Sequence, residues 1–244
     1  TLTTPTGPSN GVDAIEAAHK FIDTKFENCL VAFLAGSVVR DEATETSDLD
    51  IVIITSDNQA PFRESYYMFG WPIEAFVHTV ESYKSFFKND IKDRKPSLPK
   101  MCVEGVILKD KNNLAQTIKK KAKIMLEDGF KPYTSEEKKD KRYHITDLLD
   151  DLIGEDNHIK EIFIVNELMN ELCNFILVNN EEWEAQGKWI SKKIKKMDDD
   201  LYERMVNSLK SFYKYDEKEK LINFIETELE KYGGRLFEGY TKGK

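Results

Sequence analysis

Leu34-Ala35-Gly36-Ser37, ten residues from Val38 to Ser47, then Asp48-Leu49-Asp50-Ile51-Val52: the reading of this stretch decides the fold. Leu30 to Ala35 is a short continuous apolar run stopped by Gly36, and Asp50 to Thr55 is a second run rich in Ile and Val. Both predict buried strands, separated by a turn with room for one helical turn. Asp48 and Asp50 are two residues apart at the start of the second strand, so their side chains leave the backbone on the same side. Two carboxylates held that way can bridge hard cations. Magnesium takes oxygen ligands, commonly one or two carboxylates plus substrate phosphates, and two metals about 3.5 to 4 Å apart can activate an attacking oxygen and stabilise a leaving one. Gly36 lets the backbone approach closely, and the Ser37 hydroxyl and amide can donate to phosphate oxygens where the turn opens into a helix. The combination predicts a phosphoryl-type site.

Around this stretch, Val12, Ile15, Ala18, Phe21 and Ile22 recur at helical spacing and predict a first helix over 12–25. Tyr66 to Phe69 and Ile73 to Thr79 predict two strands around a Gly70-Trp71-Pro72 turn, with Ile73, Ala75 and Val77 on one face and Glu74 and Phe76 on the other. Glu74 thus sits inside a strand, where a carboxylate is unusual. A helix over 80–90, a strand over 103–108 and a helix carrying Leu114, Ile118, Ala122 and Met125 follow. Lys119-Lys120-Lys121-Ala122-Lys123 reads as the solvated side of that last helix rather than as a nucleic-acid patch.

Gly129 to Ser135 breaks the pattern and supplies a helix cap before Glu136, which places the boundary between two domains, 1–132 and 133–244, with the first ten residues a candidate disordered segment. Beyond the boundary no strand is expected. Ile145, Leu148, Leu149 and Leu152 form one helical stripe, and Ile159, Ile162, Phe163, Asn166, Met169, Leu172, Cys173 and Ile176 a longer one. Further helices are expected over 201–213, after an Asp198-Asp199-Asp200 cap, and over 218–232, ended by Gly233-Gly234. The fold class is α+β: a small mixed sheet with flanking helices, then an all-α bundle.

The chain has 244 residues, 40% hydrophobic and 33% charged, enough apolar material for real cores. It shows no apolar run of about 18 residues and no apolar signal core near its start, which predicts a cytoplasmic protein with no membrane partner. The net charge of −8 disfavours general nucleic-acid binding and suits a neutral or cationic small acceptor. Acidity is concentrated late: residues 1–133 carry 17 Lys and Arg against 19 Asp and Glu, and the rest 19 against 25. Cys29, Cys102 and Cys173 read as reduced core residues, and His19, His78, His144 and His158 show no zinc-ligand spacing.

The stretch from Leu34 to Val52 resembles the signature of the nucleotidyltransferase superfamily that includes DNA polymerase beta: a hydrophobic strand, Gly-Ser, a spacer of about ten residues and Asp-x-Asp among apolar residues. The resemblance implies that Asp48 and Asp50 bind two magnesium ions, that Gly36 and Ser37 hold the triphosphate of ATP or another nucleoside triphosphate, and that Glu74 is the third carboxylate, as metal ligand or general base. Ser47 either orients Asp48 or shapes the turn. With an all-helical second half, the chain is similar to the branch containing kanamycin and streptomycin nucleotidyltransferases. That likeness implies transfer of AMP to a hydroxyl of an aminoglycoside-type acceptor with release of pyrophosphate, a homodimer as one arrangement, and a phosphate-contacting role for Lys188 in Trp183-Glu184-Ala185-Gln186-Gly187-Lys188-Trp189. Lys188 reads equally as a solvated lysine after a helix-ending glycine beside two core tryptophans. Arg40 and Arg63 could steady phosphates or be ordinary surface residues, and Asp147, Asp150 and Asp151 could meet a cationic acceptor or supply a base across a domain cleft. Two other readings are modification of a protein partner and a nucleotide-sensing module without turnover.

Overall fold

The computed structural model describes residues 13–40 and 42–243, so Val12 and the first ten residues lie outside the described part. The described residues form two compact units that divide between Phe130 and Lys131.

In the first unit, helix α1 (Ala14–Lys25) buries Ala14, Ala17, Ala18, Phe21 and Ile22. The inward face is one position round from the expected stripe, leaving Ile15 43% exposed, because three small alanines let the helix lie close to the sheet. Strand β1 (Val31–Ala35) is buried at every position and pairs antiparallel with β2 (Leu49–Thr55), Ala35 opposite Asp50. β3 (Phe62–Met68) and β4 (Trp71–Thr79) form a hairpin, and β4 runs parallel to β2. β5 (Val106–Asp110) pairs antiparallel with β1, giving a five-stranded mixed sheet in the order β3-β4-β2-β1-β5.

The hairpin turn is Phe69-Gly70, both at positive φ (56° and 82°), with Met68 opposite Trp71. Two left-handed residues give the twist a two-residue hairpin needs, so Trp71 and Pro72 belong to β4 and not to the turn. β3 starts four residues earlier than its apolar pattern suggests. It is an edge strand with a largely exposed Arg-Glu-Ser-Tyr-Tyr sequence, and an edge strand needs no buried alternation.

Each sheet face is covered. Leu49, Ile51, Ile53, Ile73, Ala75 and Val77 pack with α1, whereas Phe33, Val52 and Ile54 pack with Tyr83, Phe87, Cys102 and Ile118 from helices α2 (Ser82–Lys92), α3 (Ser97–Glu104) and α4 (Leu114–Asp128). Val103 belongs to α3, not to the following strand. Pro99 hid this helix from the sequence pattern, yet it occupies the first turn, where no intrahelical N–H is required. Lys119 is not simply solvated: its ammonium donates to the carbonyls of Val103 (2.7 Å) and Gly105 (2.6 Å), closing the end of α3.

The second unit is helical among the described residues: α5 (Ser135–Gly154), α6 (His158–Asn179), α7 (Lys188–Met197), α8 (Asp199–Tyr215) and α9 (Glu219–Glu230). Thr134 and Glu137 close a reciprocal capping box on α5, Asn157 caps α6 and Asp198 caps α8. Ile145, Leu148, Leu149 and Leu152 face inward. On α6 the expected stripe holds at Met169, Leu172, Cys173 and Ile176, all buried, but is rotated in the first turns: Ile159 and Phe163 are 63% and 72% exposed, and Val165 and Leu168 take the core positions. This helix is apolar on more than one side, so its period alone cannot select the buried face. α7 has only Ile194 buried, and Gly187 opens it rather than ending a helix. Trp189 is therefore a surface residue, and the Lys188 ammonium lies 5.2 Å from its ring centre. No described helix is long and apolar enough to cross a membrane.

Asn174 fixes the segment between α6 and α7. Its amide donates to the carbonyls of Asn170 and Ala185 (both 3.1 Å) and accepts the Ala185 N–H at 2.9 Å, the two bonds to Ala185 being buried. Asn174→Leu keeps the branched heavy-atom shape but strands both backbone groups of Ala185, so we expect about 2 kcal/mol lower stability in urea denaturation. An unchanged midpoint would mean that the segment is held elsewhere.

Candidate active site

Gly36 ends β1 at φ +84°, a conformation that side chains resist, and a Cβ at this position would stand 2.2 Å from Asp50 Oδ2. The glycine is needed for both reasons: it turns the chain and makes room for the carboxylate. A single 3₁₀ turn follows over Ser37–Arg40. The Ser37 hydroxyl donates to Ser47 Oγ at 3.1 Å, and Ser47 Oγ accepts the Thr44 N–H at 2.8 Å. Ser47 thus ties the two ends of the connecting loop together beside Asp48. Arg40 reaches Glu42 through Nε (3.1 Å) and Glu104 through Nη1 (3.0 Å), anchoring the same turn to α3.

β2 and β4 are parallel with Asp50 opposite Glu74. Alternation along β2 places Asp50 on the face of Val52 and Ile54, and alternation along β4 places Glu74 on the face of Phe76. The carboxylates of Asp48, Asp50 and Glu74 each bring an oxygen within 4.8 Å of the others, and all three residues are half-buried. Arg63 of the edge strand forms an ion pair with Glu74 Oε2 while its guanidinium stacks 4.8 Å from the Phe76 ring centre. Burial, then the charges of Asp48 and Glu74, push the Asp50 carboxyl up to about 6, against the pull of Arg40 and Arg63. An all-oxygen, three-carboxylate donor set with surplus negative charge suits a hard divalent cation such as magnesium.

Lys188 lies in the second unit, as do Asp147, Asp150 and Asp151, of which Asp150 forms an ion pair with Arg235. The second unit also gathers His158, Glu161 and Asp216, a grouping that sequence spacing concealed because Asp216 comes from the α8–α9 connection. Lys218 already supplies a cation there: its ammonium is 2.7 Å from Glu161 and donates to the Leu152 carbonyl at 3.0 Å. His78 is buried near the strand end, which lowers its pKa to about 4 and keeps it neutral.

Two outcomes test this geometry. Gly36→Ala should displace the Asp50 carboxylate, weakening manganese binding measured by electron paramagnetic resonance about tenfold or more; unchanged binding would separate Asp50 from the site. Asp50 titrates lower when unfolded, so its ionisation costs the fold nothing below about pH 4, progressively more up to about pH 6, and the full amount above. Asp50→Asn should therefore stabilise the metal-free protein at pH 8, by up to about 3 kcal/mol, and leave it near wild type at pH 4. Urea midpoints in EDTA at the two pH values measure the difference, and equal midpoints at pH 8 would contradict it.

With the geometry in place, comparison with known proteins is informative. The sequence profile of the nucleotidyltransferase domain matches residues 16–232, from within α1 to beyond α9. No curated protein matches the chain. One similar solved structure is a nucleotidyltransferase-like protein from Exiguobacterium sibiricum 255-15, with 13% identity, a TM-score of 0.49, and coverage of 90% of this chain and 74% of that one. The profile spans most of the sequence and contains the Gly36-Ser37 turn and all three carboxylates, and on that match the chain belongs to the nucleotidyltransferase domain family.

Proposed function

We propose that this protein transfers a nucleoside monophosphate, AMP from ATP, to a hydroxyl of a cationic small molecule of the aminoglycoside type. The observation that carries the reading is the convergence of Asp48, Asp50 and Glu74 beside the Gly36-Ser37 turn. Asp48, Asp50 and Glu74 would hold one or two magnesium ions, which when bound polarise the phosphoryl oxygens and offset the charge that develops during transfer. Ser37 and the backbone around Gly36 would bind and orient the triphosphate. The acceptor oxygen forms a bond to the α phosphorus as the bond to the β-phosphate oxygen breaks, and pyrophosphate leaves. Glu74 either takes the acceptor proton or serves as a ligand. Most of the rate gain would come from positioning and electrostatics.

Two features support a cationic acceptor. The chain carries −8 overall, and a groove of about 640 Å³ on the second unit is bordered by Asp150, Asp151, Glu155 and the exposed ring of Phe163. Carboxylates beside an apolar ring suit a polyamine sugar, although Arg235 and Lys160 already balance part of that charge.

Asp48→Asn should abolish magnesium-dependent pyrophosphate release with circular dichroism unchanged. Glu74→Gln should still bind nucleotide but transfer label from α-labelled ATP to an aminoglycoside panel roughly 10² to 10⁴-fold more slowly. Near-normal turnover in both variants would overturn the assignment, and labelling of protein with no labelled small molecule would replace the acceptor.

A further inference from the structure

The hairpin of α8 and α9 carries a groove of about 630 Å³, rimmed by lysines and asparagines, that the catalytic reading does not use. Its origin lies in side-chain size. Leu201, Met205 and Phe212 of α8 and Leu221, Ile225 and Leu229 of α9 fill the core, but beside them the floor is made of Ser208, Ser211 and the edge of Phe224. Both hydroxyls are already committed: Ser208 donates to the Met205 carbonyl and Ser211 to Glu217, both at 2.8 Å. Short, satisfied side chains at the floor between longer ones on the walls leave a trough.

The walls are cationic. Asn207, Lys210 and Lys214 rise from α8 and Lys220, Asn223 and Thr227 from α9, and Glu217 abuts the groove through Ser211 and Lys220. Lys210 and Lys214 are one helical turn apart, a like-charge pair that costs an isolated helix a few tenths of a kcal/mol. Neither forms an ion pair among the described residues, although this half of the chain holds 25 acidic residues against 19 basic ones. Lys220 meets Glu217 at 3.4 Å on the surface, and Arg204, at the far end, is balanced by Asp200 and Glu228. The side-chain amides of Asn207 and Asn223 have no hydrogen-bond partner among the described residues, so both can donate into the groove.

We propose that this groove binds an oligophosphate chain, supplied by a nucleotide or by inorganic pyrophosphate. The Lys210 and Lys214 ammoniums, with that of Lys220 on the other helix shared with Glu217, match several phosphate oxygens better than one carboxylate, and lysine is a point-charge partner suited to a chain without fixed planar geometry. The Asn amides add neutral donors. The volume is that of a small-ligand site, with ammonium and amide groups standing above a floor that includes the Phe224 ring. The proposal does not depend on the catalytic reading, since none of these residues belongs to the carboxylate site.

The test is calorimetry on the full chain in EDTA, with inorganic pyrophosphate, ADP and adenosine as separate titrants, together with nuclear magnetic resonance of the Asn207 and Asn223 side-chain amides. Pyrophosphate and ADP should bind and shift both amides while adenosine does neither, and tighter binding of ADP would identify the nucleotide as the source. Lys210→Gln combined with Lys214→Gln should weaken binding about tenfold or more. Lys120→Gln combined with Lys123→Gln, which removes two charges elsewhere, should leave it unchanged. Equal losses in the two double variants would reduce the effect to general charge attraction and overturn the proposal. So would binding of adenosine alone, or phosphate-induced shifts at Gly36 and Ser37 without shifts at the two asparagines.

Discussion

Parallel pairing of β2 with β4 is the constraint on which the site depends. It sets Asp50 directly opposite Glu74, two carboxylates from segments more than twenty residues apart, and no local sequence preference could bring them together. A slip of one residue in β4 would turn Glu74 toward α1 and bring Ile73 or Ala75 onto the carboxylate face, burying a charge and exposing core. The register is therefore held by the apolar residues: Ile73, Ala75 and Val77 must face α1, and that requirement points Glu74 the other way.

The same arrangement concentrates charge at a cost. Asp50 ionises only near pH 6 because burial and its two neighbours oppose it, whereas Arg63 compensates Glu74 from an exposed edge strand. Gly36 removes the steric obstacle to placing Asp50 there, and Arg40 ties the turn to α3 through Glu104. A fold that keeps three carboxylates together is less stable than one that does not. This is the usual relation between a functional cluster and the scaffold that bears it.

Much of this was legible in the sequence because the decisive residues are contiguous. Gly36-Ser37 and Asp48-x-Asp50 lie within one strand-turn-strand unit, and Glu74 announced itself as a charge between Ile73 and Ala75 in a strand pattern. What escaped has physical causes. α3 was hidden by Pro99 in its first turn, the true hairpin turn by a phenylalanine at positive φ, and the inward face of the first turns of α6 by apolar residues around its circumference. The ion-pair partners of Arg63 and Arg40 were not legible either, because they depend on strand pairing and helix packing, which spacing does not encode.

The second unit shows how polar groups can organise a bundle where its apolar pattern is ambiguous. Asn174 receives and supplies every hydrogen bond that Ala185 needs, and Lys218 gathers the C-terminal carbonyls of α5 with Glu161 of α6, to which His158 adds a contact at 3.3 Å. Such groups tolerate few neighbours, since each loses value if one partner is missing. They fix which helix ends meet, leaving the outer faces of α7, α8 and α9 free to vary in charge. The lysines of the α8–α9 groove sit on those outer faces, outside every one of these networks, so their charge is not required to close the bundle.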